Sequence, residues 1–338
     1  MKILIDYDCN ILYSSQYIDY LRNNFKIFFK KTPFNSLAQK ENLFLFSGVC
    51  DNGLLNFVID FADSPLINEQ AYKWSHVYGK INYNIISGNY SDIVKLVKLS
   101  PSFGVNIWNK YEALFYTIFH YVKFYPVSDF KKLLSNYLNQ QSRLPLSKYI
   151  YNTSKNNYIF FASTLWNRQN HCIEESETNY YRANFIKACK SNTNVIFEGG
   201  FAPNKYREGY EDLFNEDIIS LNEYIEKTKQ SACVFNTPAV FSCHGWKLGE
   251  YLALGKAIIS TPLKNELPVP LENGINVHIV SGEIDSIKNA IDKICSDDIY
   301  RKKLETGAYQ YWLEYGQPQK SINKLFEKID ISLIKPVV

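Results

Sequence analysis

Apolar and polar positions along this chain fall into two series, each switching between the two-residue period of strands and the 3.6-residue period of helices. The first opens with Lys2-Ile3-Leu4-Ile5-Asp6-Tyr7, an apolar strand closed by the polar turn Asp8-Cys9-Asn10. A helix from about Ser14 to Asn24 follows, with Tyr17, Ile18 and Leu21 on one face. The pattern predicts further strands at Phe25–Phe29, Leu43–Phe46, Leu55–Ile59, Val77–Tyr83 and Asn84–Ile86. It predicts a helix at Ser91–Leu99, the turn Ser100-Pro101-Ser102-Phe103-Gly104, and a long aromatic helix over Tyr111–Tyr121. Residues 126–156, with Pro126, Pro145 and many Asn, Gln and Ser, lack a strong period and read as an interdomain region.

The second series begins with the strand Tyr158–Ala162 and the loop Ser163-Thr164-Leu165-Trp166-Asn167-Arg168. A helix over Asn179–Ser191, a strand Val195-Ile196-Phe197 running to Gly199-Gly200, and a short helix Leu221–Gln230 lead to the most informative unit. There the apolar run Ala232–Phe235 stops at Asn236-Thr237-Pro238. The turn Ser242-Cys243-His244-Gly245 opens a helix carrying Lys247 and Glu250, Gly255 ends it, and a buried strand Ala257–Ser260 follows. Beyond lie the loop Pro262–Gly274, a strand at Asn276–Val280, and helices near Ile284–Ser296 and Asp298–Tyr315. Strands separated by helical patterns argue for an α/β protein with parallel sheets. The length of 338 residues suits two domains. We expect an N-terminal domain over residues 1–150, a C-terminal one over 151–315, and a tail or helix over 316–338 that crosses back to the first.

A strand–loop–helix–strand unit of this kind sets a helix N-terminus at the carboxyl edge of a parallel sheet, where unpaired N–H groups attract phosphate. Lys247 adds a cation in the first turn, and Glu250, one turn on, shares its face. A carboxylate there can accept hydrogen bonds from ribose hydroxyls, so the unit suits a nucleoside diphosphate.

The stretch Gly249-Glu250-Tyr251-Leu252-Ala253-Leu254-Gly255-Lys256-Ala257-Ile258-Ile259 resembles the nucleotide-sugar signature of GT-B glycosyltransferases, in which the Glu binds ribose. The resemblance covers roughly residues 158–315. It implies two doubly wound Rossmann-like domains facing a cleft, the N-terminal one binding the acceptor and the C-terminal one the nucleotide sugar. It further implies diphosphate contacts from the loop after the first C-domain strand and from the signature helix, here Arg168 with Thr164 nearby, and Lys247. His244, Gly245 and Trp246 would border the donor sugar, and Glu266 would contact base or sugar. Many retaining members carry another Glu eight residues before the first; this chain has Ser242 there. Arg182, one turn into its helix, is a weaker diphosphate candidate and is expected on the helix surface. On the acceptor side, Asp8, Lys80 and Gly104 lie at strand ends or turns, with Asp8 placed as a base.

Composition narrows the picture. Hydrophobic residues at 46% and charged residues at 21% describe a globular chain. The start MKILIDYDCN lacks the basic-then-apolar pattern of a secretory leader. The seven cysteines are scattered, and neither HExxH nor DxD spacing occurs, so no disulfide framework, protein-bound metal or other cofactor is expected. A cytoplasmic location, at the inner face of a membrane, is the matching expectation. Residues 1–150 hold 16 Lys and Arg against 11 Asp and Glu, whereas the remainder holds 21 against 23. That surplus is too small and too dispersed for a nucleic-acid binder, and it would suit an anionic acceptor or peripheral membrane association. Aromatic residues at 16% can stack on sugars as well as fill cores. Together these readings imply a bacterial, metal-independent hexosyltransferase moving sugar from a nucleotide donor to a glycan, lipid-linked or other hydroxyl acceptor, in polysaccharide or glycoconjugate synthesis. A nucleotide-sugar epimerase of the same fold and a non-catalytic nucleotide-sugar-binding protein are the alternatives.

Overall fold

The computed structural model describes residues 2–51, 53–87, 93–125, 129–151, 154–166, 173–207 and 209–329, without the side chains of 173–176. The chain divides into two compact units, Met1–Lys148 with Gln317–Val338, and Tyr149–Gly316. Both are α/β.

The first unit is built on a six-stranded sheet in the order β2-β1-β3-β4-β5-β6. Its strands are β1 Lys2–Asp6, β2 Lys26–Lys30, β3 Leu43–Cys50, β4 Gly53–Asp60, β5 Val77–Lys80 and β6 Leu96–Lys98. All run parallel except β3, which pairs antiparallel with both β1 and β4. The cause is local. Only two residues separate β3 from β4 in the chain, and so short a link permits only a hairpin. Helix α1 (Ile11–Asn24) starts where the Asn10 side chain accepts the Tyr13 N–H (3.2 Å). α2 (Glu69–Trp74), α3 (Lys110–Phe124) and α4 (Phe130–Asn139) follow, and α10 (Pro318–Glu327) returns from the far end of the chain. Phe326 of α10 meets Phe46 and Phe57 of the sheet edge-on, at 6.3 and 5.2 Å.

Three expectations change here. Asn84–Ile86 is a turn: the Asn84 side chain accepts the N–H groups of Ile86 and Ser87 (3.0 and 3.1 Å), and Ile86 is 93% exposed. The predicted helix Ser91–Leu99 is instead the edge strand β6, whose Leu96, Val97 and Lys98 pair with Tyr78, Gly79 and Lys80; Ser91 and Asp92 lie outside the described residues. The stretch 126–156 contains α4, capped by Asp129 and anchored by Leu133 and Tyr137 at helical spacing.

In the second unit β7 (Tyr158–Ser163) pairs parallel with β8 (Ile196–Phe201), and β10 (Ile258–Ser260) pairs parallel with β9 (Val234–Asn236) and β11 (His278–Ile279). The Ala232 N–H donates to the Tyr158 carbonyl (2.7 Å), and the Ser231 hydroxyl accepts the Phe160 N–H (2.7 Å), drawing β7 and β9 together. The spatial sequence is therefore β8, β7, β9, β10, β11. After β7 the chain steps outward to β8 and then returns past β7 to β9. This reversal is a topological switch point, where open α/β sheets leave a crevice at the carboxyl ends of their strands. Helices α5 (Ile173–Lys190), α6 (Leu221–Gln230), α7 (Trp246–Ala253), α8 (Ile284–Ser296) and α9 (Asp298–Tyr311) clothe the sheet, and a π-helical turn, Trp312–Gly316, follows α9. Under the switch point, Phe185 stacks on Phe235 (4.7 Å) and meets Phe161 edge-on (5.1 Å). This aromatic floor is part of the unit's core.

Candidate functional site

β7 ends at Ser163-Thr164 and β9 at Asn236-Thr237, side by side at the switch point. Past β9 the chain makes a tight turn in which Phe241 (φ 52°) and Ser242 (φ 58°) both take left-handed backbone conformations. Two successive non-glycine residues in that region cost free energy and persist only where their surroundings hold them. Here the Cys243 N–H donates to the Val240 carbonyl (3.0 Å), the Ala239 N–H to the Cys243 carbonyl (3.1 Å), and the Asn265 amide to the Phe241 carbonyl (3.3 Å). The turn delivers Gly245 to the N-cap of α7. Gly245 supplies no capping side chain, and a methyl group on its Cα would meet nothing within 4 Å. No side chain caps the start of α7, which borders open space, while the Leu248 N–H donates to the Gly245 carbonyl (3.1 Å).

That space is a cavity of about 210 Å³ lined by Ser163, Thr164, Arg182, Thr237, Gly245 and Lys247, among others. A second cavity of about 270 Å³ shares Thr237 and Ala239 with it and reaches Ser242, Thr261 and Lys264. The Lys247 ammonium donates to the Ala162 carbonyl and lies over the Phe161 ring (5.0 Å). Burial and the neighbouring Arg182 guanidinium push its pKa down to about 7, against the opposing pull of Glu250. Arg182 donates to the Thr164 carbonyl (3.0 Å) and lies over Trp166 (5.5 Å); burial lowers its pKa to about 10, so it stays charged at neutral pH. Two cations and a helix N-terminus therefore converge on one crevice. Such an arrangement is made for an anion.

Among the residues expected here, Lys247, Gly245, Trp246 and Thr164 come together around the first cavity. Glu250 lies one turn deeper, 4% exposed; burial, with Glu250 adding to it, raises the pKa of Tyr224 and Tyr251 beside it, and Glu250 lines neither cavity. His244 is buried, and its pKa falls to about 4 despite backbone groups of Glu266 and Asn265 facing its ring. It is neutral at pH 7, so it can bond a hydroxyl but supplies no charge. Glu266 is half-buried at that same loop. Arg168 lies outside the described residues.

Arg182, expected on the surface of its helix, is half-buried and lines the first cavity. It lies three residues after Asn179, whose side chain exchanges hydrogen bonds with the Trp166 backbone (2.9 and 3.1 Å). The spacing Asn179–Arg182–Ile186 marks the helix face turned to the sheet, and that signal was present in the sequence. Ser163 and Thr237 were missed because short polar residues at strand ends carry no distinctive pattern.

In the first unit, Asp8 follows β1 and pairs with Lys132 (3.0 Å). It lines a polar cavity of about 640 Å³ together with Asn10, Lys40, Asn42 and Asn139. Lys80 does not reach a surface: it is fully buried and paired with Asp60 (2.9 Å). A strand-end lysine looks the same in sequence whether it faces solvent or a buried carboxylate. Gly104 is also buried, in an extended segment whose next N–H, that of Val105, donates to Ser15 (2.8 Å). Among the described residues, no three His, Cys, Asp or Glu side chains gather as a metal ion would require.

No family model matches the chain, and no curated protein matches it in sequence. Among solved structures it is similar to a glycosyltransferase from Rickettsia africae, at 10% identity over 97% of this chain and 82% of that one, with a TM-score of 0.46. It is also similar to the C-terminal domain of a glycosyl transferase group 1 family protein from Francisella tularensis, at 17% identity over 49% and 88%, with a TM-score of 0.33. A third is S. aureus MnaA in a co-structure with UDP, at 13% identity over 78% and 71%, with a TM-score of 0.39. These likenesses concern the course of the backbone. The side chains of the site are this chain's own.

Proposed function

We propose that the second unit binds a nucleoside-diphosphate sugar and that the chain transfers the sugar to a hydroxyl acceptor. The observation that carries this reading is the convergence of Lys247, Arg182 and the uncapped N-terminus of α7 at the switch point. In the transfer, the acceptor oxygen bonds to the anomeric carbon as the bond from that carbon to the diphosphate breaks. The electron pair leaves on the diphosphate. Charge grows there, and preorganised cations and N–H groups stabilise it without reorganising. Lys247 and Arg182 take the place of a metal in this scheme, with Arg168 as a further diphosphate contact. Glu250 meets ribose, and His244, Trp246, Thr164 and Glu266 border the nucleotide and sugar. Asp8, in its polar cavity, is an acceptor-side residue that takes the hydroxyl proton; Lys80 and Gly104, both buried, take no part. The acceptor is a glycan, a lipid-linked sugar or another hydroxyl compound, and the setting is bacterial polysaccharide or glycoconjugate synthesis at the cytoplasmic face of a membrane.

Thermal denaturation with a panel of UDP-, GDP-, dTDP- and ADP-sugars tests the reading, because a ligand that binds the folded chain raises its melting temperature by mass action. One nucleotide class is expected to stabilise the chain, and slow donor hydrolysis is expected on long incubation. No response to any donor would overturn the reading. Interconversion of free UDP-sugars without acceptor would replace transfer by epimerisation, and binding without hydrolysis or transfer would leave a nucleotide-sugar-binding protein.

A further inference from the structure

α3 carries its amphipathicity the wrong way round. Its buried face is Ala113, Thr117, His120 and Phe124, at the spacing that packs a helix against a protein. Two of those four are polar, and both are satisfied inside: Thr117 donates to the Ala113 carbonyl (2.8 Å), and the His120 ring bonds the Tyr137 hydroxyl (2.6 Å). The opposite face is Tyr111, Phe115, Ile118, Phe119 and Val122, continued by Tyr125 just past the helix. Tyr111 is 83% exposed, Val122 70% and Phe115 63%. Phe115 and Phe119 stack on one another along the surface (6.0 Å, 10° between planes), and the Lys123 ammonium lies over the Phe119 ring (5.4 Å). The stripe runs the full length of the helix, about 20 Å at 1.5 Å per residue. A contiguous apolar band of this size is not what scattered surface hydrophobics look like, and it marks an interaction surface.

Its charges select the partner. Lys110 opens the helix, and Lys123 stands in its last turn close enough to Lys30 for the two to repel. The Tyr121 ring meets Phe130 (5.3 Å), which brings Lys131 to the same end. The two carboxylates in the neighbourhood are engaged as caps, Glu112 by the Asn109 N–H (2.8 Å) and Asp129 by the N–H groups of Lys131 and Lys132 (2.8 and 3.3 Å). An aromatic and aliphatic stripe with a tyrosine near each end and lysines at both ends is complementary to an anionic bilayer surface. The rings enter the acyl boundary, the tyrosine hydroxyls stay at headgroup level, and the ammonium groups meet lipid phosphates. The surplus of Lys and Arg over Asp and Glu in residues 1–150, 16 against 11, adds longer-range attraction. We propose that α3 is an interfacial anchor that lays Tyr111, Phe115, Phe119 and Val122 on an anionic membrane surface. No helix among the described residues is long and apolar enough to cross a membrane, so this contact is a surface one. The proposal is independent of the donor site.

Co-sedimentation of the full chain with phosphatidylcholine vesicles, with and without phosphatidylglycerol, tests it. The chain is expected to sediment with the phosphatidylglycerol vesicles and to be released progressively by added salt, which screens the lysines. A Phe115→Ser/Phe119→Ser/Val122→Ser variant should lose roughly ten-fold or more of that partitioning with its melting temperature little changed, since these side chains are exposed. Lys110→Gln/Lys131→Gln should weaken binding to the anionic vesicles alone. Failure of the wild-type chain to bind either vesicle, or full binding by the triple-serine variant, overturns the proposal. Concentration-dependent dimerisation that the triple-serine variant abolishes, without vesicle binding, would assign the face to a second copy instead.

Discussion

Lys247 is held where solvation and ligand charge pull its proton in opposite directions. With a pKa near 7 in the folded chain, below the ordinary 10.5, it loses charge as pH passes neutrality. Between those two values the unfolded chain binds more protons, so stability of the ligand-free protein should rise with pH across that window and level off below pH 7, where both states hold the proton. Donor binding should run the other way: above pH 7, holding a diphosphate requires Lys247 to take up a proton, so affinity should weaken as pH rises. Calorimetric titration of the nucleotide across that range should show the slope, and Lys247→Gln should flatten it; a flat wild-type profile would remove Lys247 from the diphosphate site. His244 titrates near 4 instead of 6.5, so stability should fall as pH drops between those values, more steeply than in a His244→Gln variant. Denaturation curves read at several pH values check this. Glu250→Gln keeps the shape of a buried side chain and removes its charge, and should weaken nucleotide binding roughly 10- to 100-fold, the worth of a charged-group hydrogen bond. Unchanged affinity in that folded variant would take Glu250 out of the site. Lys247 and Gly245 were legible in sequence because both are fixed by their distance from a helix start. Lys80 was not, because its partner Asp60 comes from another strand.

At the level of elements, the site depends on backbone approaches that side chains would block. Gly199 in β8 has φ +112°, and a methyl group there would lie 2.1 Å from the Phe161 carbonyl oxygen on β7. Neither backbone can yield without disturbing the strand that ends at the crevice. Gly199→Ala should therefore destabilise the second unit by at least about 2 kcal/mol, read as a drop in denaturation midpoint. A neutral outcome would mean that β7 and β8 are more loosely paired than described. Periodicity made most strands and long helices legible, because a buried face imposes it on the sequence. It failed at Asn84–Ile86, where a side chain competes for backbone N–H groups, and at β6, where three strand residues are too few to display a period. The reversal of β3 was also hidden, since strand direction is set by the length of a turn and not by hydrophobicity.

For the molecule as a whole, the proposed place of the diphosphate is the second unit, at the crevice between β7 and β9. The α/β alternation was readable from end to end, and the signature stretch pointed to α7. What sequence could not supply was the juxtaposition itself: the order of strands in the sheet is what brings Arg182 from α5 and the Thr164 and Thr237 strand ends to the start of α7. The first unit offers a rival cavity beside Asp8, larger and also polar. Amide hydrogen–deuterium exchange of the full chain, with and without a saturating nucleoside diphosphate, distinguishes the two directly. Protection is expected in the segments around Ser163–Trp166 and Asn236–Lys247, with Asp8–Asn10 and Ala38–Asn42 unchanged. Protection confined to Asp8–Asn10 and Ala38–Asn42, with the start of α7 exchanging as before, would contradict the account.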